Sequence, residues 1–356
     1  MRITEVGLHP LRLEMVNPLK TARGTYAARE GFVVRLRDEE GRVGQGEAMP
    51  LREFGTEAPS DCEQALKSVL TRLRGPLEPL PLGEGWDEEL GLSTRTPAAR
   101  HAVEQALLDL LAQREGVPLC RLLSAESREV VQVNALLGSS SAEALAEEAR
   151  RAVAEGYETL KIKVAGRPLE EDSARLQAVR RVVGPAVRLR VDANGGWTEP
   201  DAEQALAELG RYQLELCEQP VAAEDHEALS RLSERAPCPL AADESLALPE
   251  VRRSILDRPR TVSVLVLKPM VLGGLLPTLS LAREAAKRGM DAYVTSSLDG
   301  VSARAGAAHV AAALPSGKYA SGLGVGHLFK DEPGSHPFRP VRGRIELPRT
   351  PGQGVH

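Results

Sequence analysis

The sequence predicts an α/β protein whose larger part is a barrel of parallel strands and covering helices, preceded by a smaller section of mixed strands and helices. Three observations predict it. From about Val130, short β-branched runs alternate with long Ala-, Leu-, Glu- and Arg-rich stretches of helical pattern, the signature of βα units. Charged residues at the ends of those runs recur at a near-constant interval: 29 residues from Lys163 to Asp192, 26 on to Glu218, 25 to Asp243 and 25 to Lys268. Before Val130 that alternation is missing.

In the first section, Ile3 to Met15 alternates in part like a strand. Phe32–Arg37 and Val43–Glu47 flank the turn-rich Asp38-Glu39-Glu40-Gly41 and predict a hairpin. Loops are expected near Val16–Tyr26 and Pro50–Pro59. Helical patterns follow at Ser60–Leu73 and Pro97–Glu115, the second with Pro97 at its first position and Gly116 as its stop. Barrel strands are expected at Val130–Val133, Thr159–Val164, Val187–Val191, Leu214–Leu216, Leu240–Ala242, Val262–Leu267 and Ala292–Thr295. The helices between them are expected at Ser141–Glu155, Glu171–Val183, Glu199–Leu209, Glu224–Ala236 and Leu275–Arg288. The Gly83–Gly91 and Glu332–Pro340 stretches predict loops.

The 356 residues suit two domains or one large barrel with an addition. Aromatics are only 3% of the chain, so Leu, Val and Ala must build the core. A net charge of −5 with interspersed signs speaks against a nucleic-acid partner. Cys62, Cys120, Cys217 and Cys238 are far apart and form no C-x-x-C pair, so reduced, buried thiols are expected. Neither a signal-peptide core nor a run of about 18 to 20 apolar residues is present, and a cytoplasmic protein with no membrane partner is expected.

A barrel places the C-terminal ends of all its strands on one rim. The spaced charges would then meet in one small volume. Asp192, Glu218 and Asp243 each follow an apolar run, and three converging carboxylates repel one another and are costly to desolvate. A hard divalent cation such as Mg2+ resolves that conflict through oxygen ligands. The competing reading of any one acid is N-capping of the following helix, which three acids on consecutive units make less economical. Lys161 and Lys163 stand at i and i+2 of one strand, on the same face. Lys268 comes from a later strand on the opposite side. A desolvated lysine among other cations has a lowered pKa and can act as a general base. Metal and lysines together suit abstraction of a proton α to a carboxylate.

The runs KIKVAG, VDANGGW, CEQPV, ADES and LKPMVLGG, with GQGEAMPL near the start and PGQGV at the end, resemble the enolase superfamily in its muconate-lactonizing subgroup. The resemblance covers almost the whole chain. It implies a (β/α)7β modified TIM barrel over residues 126–325, and an N-terminal α+β capping domain over 1–125 completed by about 326–356. It implies Mg2+, with Mn2+ as a substitute, on Asp192, Glu218 and Asp243. It implies Lys163 and Lys268 as acid/base residues on opposite faces of a small-molecule carboxylate substrate, with Lys161 assisting Lys163 electrostatically and touching the substrate carboxylate. Asn194 and Glu244 stand beside the metal ligands. A homo-oligomer is compatible with the family.

Three activities share this machinery: o-succinylbenzoate synthesis, N-acylamino acid racemisation with dipeptide epimerisation, and muconate cycloisomerisation. Dipeptide epimerases usually carry Asp-x-Asp near the eighth strand for the substrate ammonium; Tyr319–Gly324 has none. The segment Val294–Asp299 resembles the seventh-strand end of o-succinylbenzoate synthases, where Ser296 or Ser297 would bond the succinyl group. GLGVGHLFKDE and Arg190 fit the same resemblance. The expected activity is therefore a Mg2+-dependent hydro-lyase of menaquinone biosynthesis. N-acylamino acid (N-succinylamino acid) racemisation or another activity of the muconate-lactonizing subgroup is the alternative, and a catalytically silent barrel the non-enzymatic one, which five intact positions oppose. Arg23, Gly24 and Tyr26 fall in a loop placed to close over the site. Trp197 is expected to pack beside the Asp192 loop, and His309 to have no catalytic part.

Overall fold

The computed structural model describes residues 1–21, 24–73, 75–76, 86–258, 261–330 and 336–355. Its N-terminal section is an antiparallel sheet of Arg2–Thr21, Gly24–Asp38 and Val43–Ala48, with Gly75–Pro76 on the far edge. The hairpin turn lies where the sequence predicts it. The Asp38 carboxylate accepts the Glu40 and Arg42 amides at 3.0 and 2.9 Å, and Gly41 takes a φ of +82°.

The expected loop at 16–26 is instead largely strand. Pairing resumes at Leu19↔Tyr26 after a register shift between Glu14 and Leu19. A two-stranded ribbon satisfies its own backbone across the pair. Pro18, which reads as a strand breaker, falls in the irregular stretch where no ladder bond is needed.

The helix Pro97–Arg114 lies against the strand Val43–Ala48. A Cβ on Gly44 would stand 2.1 Å from the Ala106 carbonyl oxygen, and one on Gly46 1.9 Å from that of Ala102. Only glycine permits this approach, which accounts for two positions of GQGEA. The helix is buried nearly all round. Gln105 accepts the Glu47 amide of that strand and donates to the Ser302 carbonyl and the Gln353 side chain, tying sheet, barrel and C-terminal tail together.

Seven parallel strands form the barrel in chain order: Ala135–Leu137, Thr159–Lys163, Arg188–Asp192, Leu214–Glu218, Leu240–Ala242, Val264–Leu267 and Asp291–Val294. A helix follows each, from Ala142–Ala154 to Val301–Ala313. Residues 321–322 close the ring. Ser321 bonds Gln132 and Asn134 on one side, and Gly322 bonds Val294 and Ser296 on the other, at 2.7 to 3.1 Å. The result is the (β/α)7β barrel, with the N-terminal section as its cap.

One expected strand is not part of the barrel. Val130–Gln132 pairs antiparallel with Arg344–Glu346, and the first barrel strand is Ala135–Leu137. A short β-branched run specifies a strand but not its partner, and this partner lies in the C-terminal tail. Leu216, Ala241, Val264, Val266, Tyr293 and Tyr319 fill the barrel interior. All four cysteines are free and buried. Among the described residues no helix is long and apolar enough to cross a membrane.

Candidate active site

Asp192 and Glu218 end neighbouring strands in paired register, and Lys163 ends the strand before them, opposite Asp192. Asp243 follows the fifth strand and Lys268 the sixth. These five residues, with Lys161, Asn194 and Glu244, line one cavity of about 320 Å3. The spacing in the sequence thus becomes convergence at the strand ends. The second and sixth of eight strands lie half a ring apart, so Lys163 and Lys268 enter from opposite sides. Leu136, Leu137, Leu246, Val266, Leu298 and the cap residue Phe54 contribute apolar wall.

The acids are counter-charged by lysines. The Lys161 ammonium donates to Glu218 Oε1 at 2.6 Å and lies 2.8 Å from Asp192 Oδ2. Lys268 Nζ donates to both Asp243 oxygens at 2.5 Å, and the Tyr293 hydroxyl donates to Glu218 Oε2 at 2.5 Å. Burial pulls Lys161 down, but Asp192 and Glu218 together carry it well above the ordinary lysine value. Lys268 is raised likewise: burial opposes, and Asp243 outweighs it. The lowered lysine pKa expected from the sequence is therefore not found for these two. Their nearest neighbours are carboxylates rather than one another. Lys163 is the lysine more open to solvent.

As they stand, no three acidic, imidazole or thiol groups among the described residues surround a common point closely enough to hold a metal ion. The donor set still fits a hard cation. Asp192, Glu218 and Asp243 are all buried, they come from three adjacent strands, and among the described residues the cavity lining contains no imidazole or thiol. Buried carboxylates need positive charge beside them. Lys161, bridging two of them, shows that the pocket accommodates a cation between acids.

Several residues hold this arrangement. Asn194 donates its side-chain amide to Glu244 Oε1 at 3.1 Å and its backbone amide to Asp192 Oδ1 at 3.0 Å. Gln219, fully buried, accepts the Asp243 and Ser245 amides and donates to Ser245 Oγ. Ala165, Asn194, Gln219 and Leu298, all in loops at this rim, have positive φ without being glycine. Such strain gathers where surrounding structure imposes a functional geometry. Sequence reasoning assigned no part to Gln219, Tyr293, Thr295 or Phe54. Gln219 follows a predicted ligand directly and Tyr293 sits on a predicted strand, so adjacency was the one signal available; nothing local marks Phe54.

The other expected residues divide. Ser296 lines the cavity, but its hydroxyl donates to Asp299 Oδ1 at 2.6 Å. Ser297 is 2% exposed and its side chain is not part of the lining. Arg190 is also absent from the lining. It lies in the barrel interior with its guanidinium 4.5 Å from the Tyr293 ring centre, bonded to Glu215 at 2.5 Å and to the Ala320 carbonyl at 2.7 Å. Arg23 lies outside the described residues. Trp197 packs partly buried against the core and bridges to Val221, next to the Asp192 loop. His309 is buried, accepts the Cys120 amide at 3.0 Å and lies 3.0 Å from the Gln353 carbonyl; burial pushes its pKa down to about 4. At the eighth strand the lining is Gly322, Gly324 and Val325, with no carboxylate.

Comparisons with known proteins agree with this fold. The family described as "Mandelate racemase / muconate lactonizing enzyme, N-terminal domain" matches residues 4–124, and "Enolase C-terminal domain-like" matches 144–356. The N-succinyl-L-Arg/Lys racemase of Bacillus cereus is 30% identical over 312 residues, covering 87% of this chain and 84% of its own. The L-Ala-D/L-Glu epimerase of Bacillus subtilis is 31% identical over 321 residues, covering 88% and 85%. A dipeptide epimerase of Enterococcus faecalis, solved with Mg and the dipeptide L-Leu-L-Tyr, superposes with a TM-score of 0.90 at 29% identity, over 99% of both chains.

Proposed function

The chain belongs to the enolase superfamily, in its muconate-lactonizing subgroup, and from that membership we propose that it is an o-succinylbenzoate synthase. The reaction is the dehydration of 2-succinyl-6-hydroxy-2,4-cyclohexadiene-1-carboxylate to 2-succinylbenzoate and water, a step of menaquinone biosynthesis. The observation that carries the reading is an apolar-walled cavity with Lys163 and Lys268 on opposite sides, three acids beside them, and no carboxylate at the eighth strand. Without an acid there, a substrate ammonium finds no counter-charge at the eighth strand, which disfavours a dipeptide. The same reading divides the chain into a capping domain, 1–125 with about 326–356, and a catalytic barrel, 126–325.

Asp192, Glu218 and Asp243 hold Mg2+ in this reading. Held by these three carboxylates, the ion would supply fixed positive charge to stabilise a carboxylate whose α-proton is removed. Lys163 Nζ takes the proton from the carbon bearing the carboxylate. The ammonium so formed returns that proton to the departing hydroxyl, which leaves as water, and the ring becomes aromatic. Lys268 stays a cation on the other side and stabilises negative charge spread over the ring. Lys161 holds Asp192 and Glu218 in place from beneath.

The second reading, N-succinylamino acid racemisation, is favoured by the 30% identity to a racemase of that kind. It needs both lysines as acid and base. The test is an assay of the purified enzyme on the cyclohexadiene substrate and on N-succinylamino acids, with and without Mg2+. We expect Mg2+-dependent dehydration. Lys163→Ala should lower it by about 10^2- to 10^4-fold, the usual worth of a positioned base. Lys268→Arg should abolish racemisation and leave residual dehydration. Racemisation without dehydration, or a Lys163→Ala variant that keeps most of its activity, overturns the assignment.

A further inference from the structure

Five ionisable side chains are buried together where the cap meets the barrel: Arg29 and Glu47 from cap strands, His101 from the long cap helix, and Asp299 and Arg304 from the end of the barrel. Buried charge networks are weak evidence for stability, because apolar packing of similar volume often serves as well. The bonds of this network converge on one turn, residues 296–300, directly after the seventh barrel strand. Arg29 Nε donates to the Leu298 carbonyl at 3.1 Å, while its two other nitrogens bond the Met49 and Pro50 carbonyls of the cap. The Glu47 carboxylate accepts the Gly300 amide at 2.6 Å and the Ala303 amide at 3.2 Å. Asp299 closes the turn on itself, taking the Ser296 hydroxyl at 2.6 Å and the Ser297 amide at 3.1 Å.

The turn so held is strained. Leu298 has a φ of +61°, a region that a residue with a branched side chain occupies only when its surroundings impose it. Its side chain is gripped between Met15 of the first cap strand and Phe329 of the tail. Ser296 and Leu298 also line the cavity that contains the lysines and acids. One strained turn is thus bonded to the cap on its back and faces the cavity on its front.

We propose that Arg29 and Glu47 are positioning residues for the reaction: acting through Leu298 and Gly300, they fix the 296–300 turn and so place Ser296 and Leu298 in the wall against which the substrate lies. The inference rests on the reading of this cavity as the active site. The cap then contributes to substrate fit from behind the cavity wall, through two side chains that never touch the substrate.

The test compares wild type with Arg29→Lys, Glu47→Gln and Gly300→Ala, in Mg2+. In the last, a Cβ would meet the Glu47 carboxylate oxygens at 2.8 and 3.0 Å, disturbing the clamp without removing a charge. The measurements are KM and kcat on whichever substrate the wild type turns over, and amide hydrogen exchange across 296–303. We expect KM to rise about tenfold with kcat changed by less than about threefold, the scale of one lost positioning bond. Exchange should quicken at 297–300 more than elsewhere in the barrel. A purely structural clamp would lower the melting temperature, speed exchange throughout and leave KM alone, and that result overturns the proposal. Unchanged exchange in all three variants overturns it too. If one charge variant fails to fold, Gly300→Ala decides. A wild type inactive on both substrate classes counts against the proposed function, and the exchange comparison still decides the clamp.

Discussion

Glu47 shows how a single side chain acquires its character from two parts of the fold. Burial, and then the charge of Asp299, push its carboxyl up to about 7, against the Gly300 and Ala303 amides that favour the ionised form. The groups facing it are Arg29 on the second cap strand, His101 on the cap helix, and Asp299 and Arg304 on the barrel side. A folded-state value above the ordinary 4.5 means the folded chain holds this proton more tightly than the unfolded one. The stability it contributes is fully present below about 4.5 and is lost as pH rises through about 7. Glu47→Gln cannot ionise, so the difference in melting temperature between variant and wild type should shift in favour of the variant between pH 5 and 8. A difference that does not change with pH refutes the assignment. His101, buried and pushed down, works in the opposite sense. In the sequence GQGEA was visible as a motif, but what its glutamate faces was not, because Asp299 and Gly300 are some 250 residues away.

The contact between Val43–Ala48 and Pro97–Arg114 rests on glycine. The strand was legible from its alternation and the helix from its Pro97 start and Gly116 stop, yet neither pattern says that the two touch. The Cβ positions of Gly44 and Gly46 reach carbonyl oxygens of the helix, which is backbone and cannot rotate aside. Gly46→Ala should therefore cost about 3 kcal/mol or more, the upper range for overpacking a tight contact. Gly166→Ala, where a Cβ meets nothing within 4 Å, is the matched control and should be near neutral. Equal melting temperatures for the two variants would show that the helix can move away. The same limit explains the Val130 run. Its strand character was predictable, but pairing with Arg344–Glu346 depends on where the tail returns.

For the whole molecule, the decisive feature is that three acids far apart in sequence share one cavity while lysines neutralise them. A divalent cation that binds only the folded chain stabilises it by mass action, by about 2.7 kcal/mol at a hundred times its Kd. Mg2+ should therefore raise the melting temperature in a saturable way, and Asp243→Asn should remove most of the rise. A wild type unmoved by Mg2+, or an Asp243→Asn variant shifted as much as wild type, would show that these acids do not hold the ion.

By itself the sequence determined the βα rhythm, the rim position of Lys163, Asp192, Glu218, Asp243 and Lys268, and the family. The rhythm and the rim positions follow from local periodicity and from spacing along the chain, which one barrel unit converts directly into position; the family follows from the resemblance of runs such as KIKVAG, VDANGGW and LKPMVLGG. Only the tertiary structure decided which side chains face the cavity and which face the protein. It sent Arg190 into the barrel interior and turned Ser297 away, committed the Ser296 hydroxyl to Asp299, and brought Phe54 and the Arg29–Glu47 seam up to the site. Those outcomes depend on contacts between residues up to some 270 positions apart, and no local pattern carries the address of a distant partner.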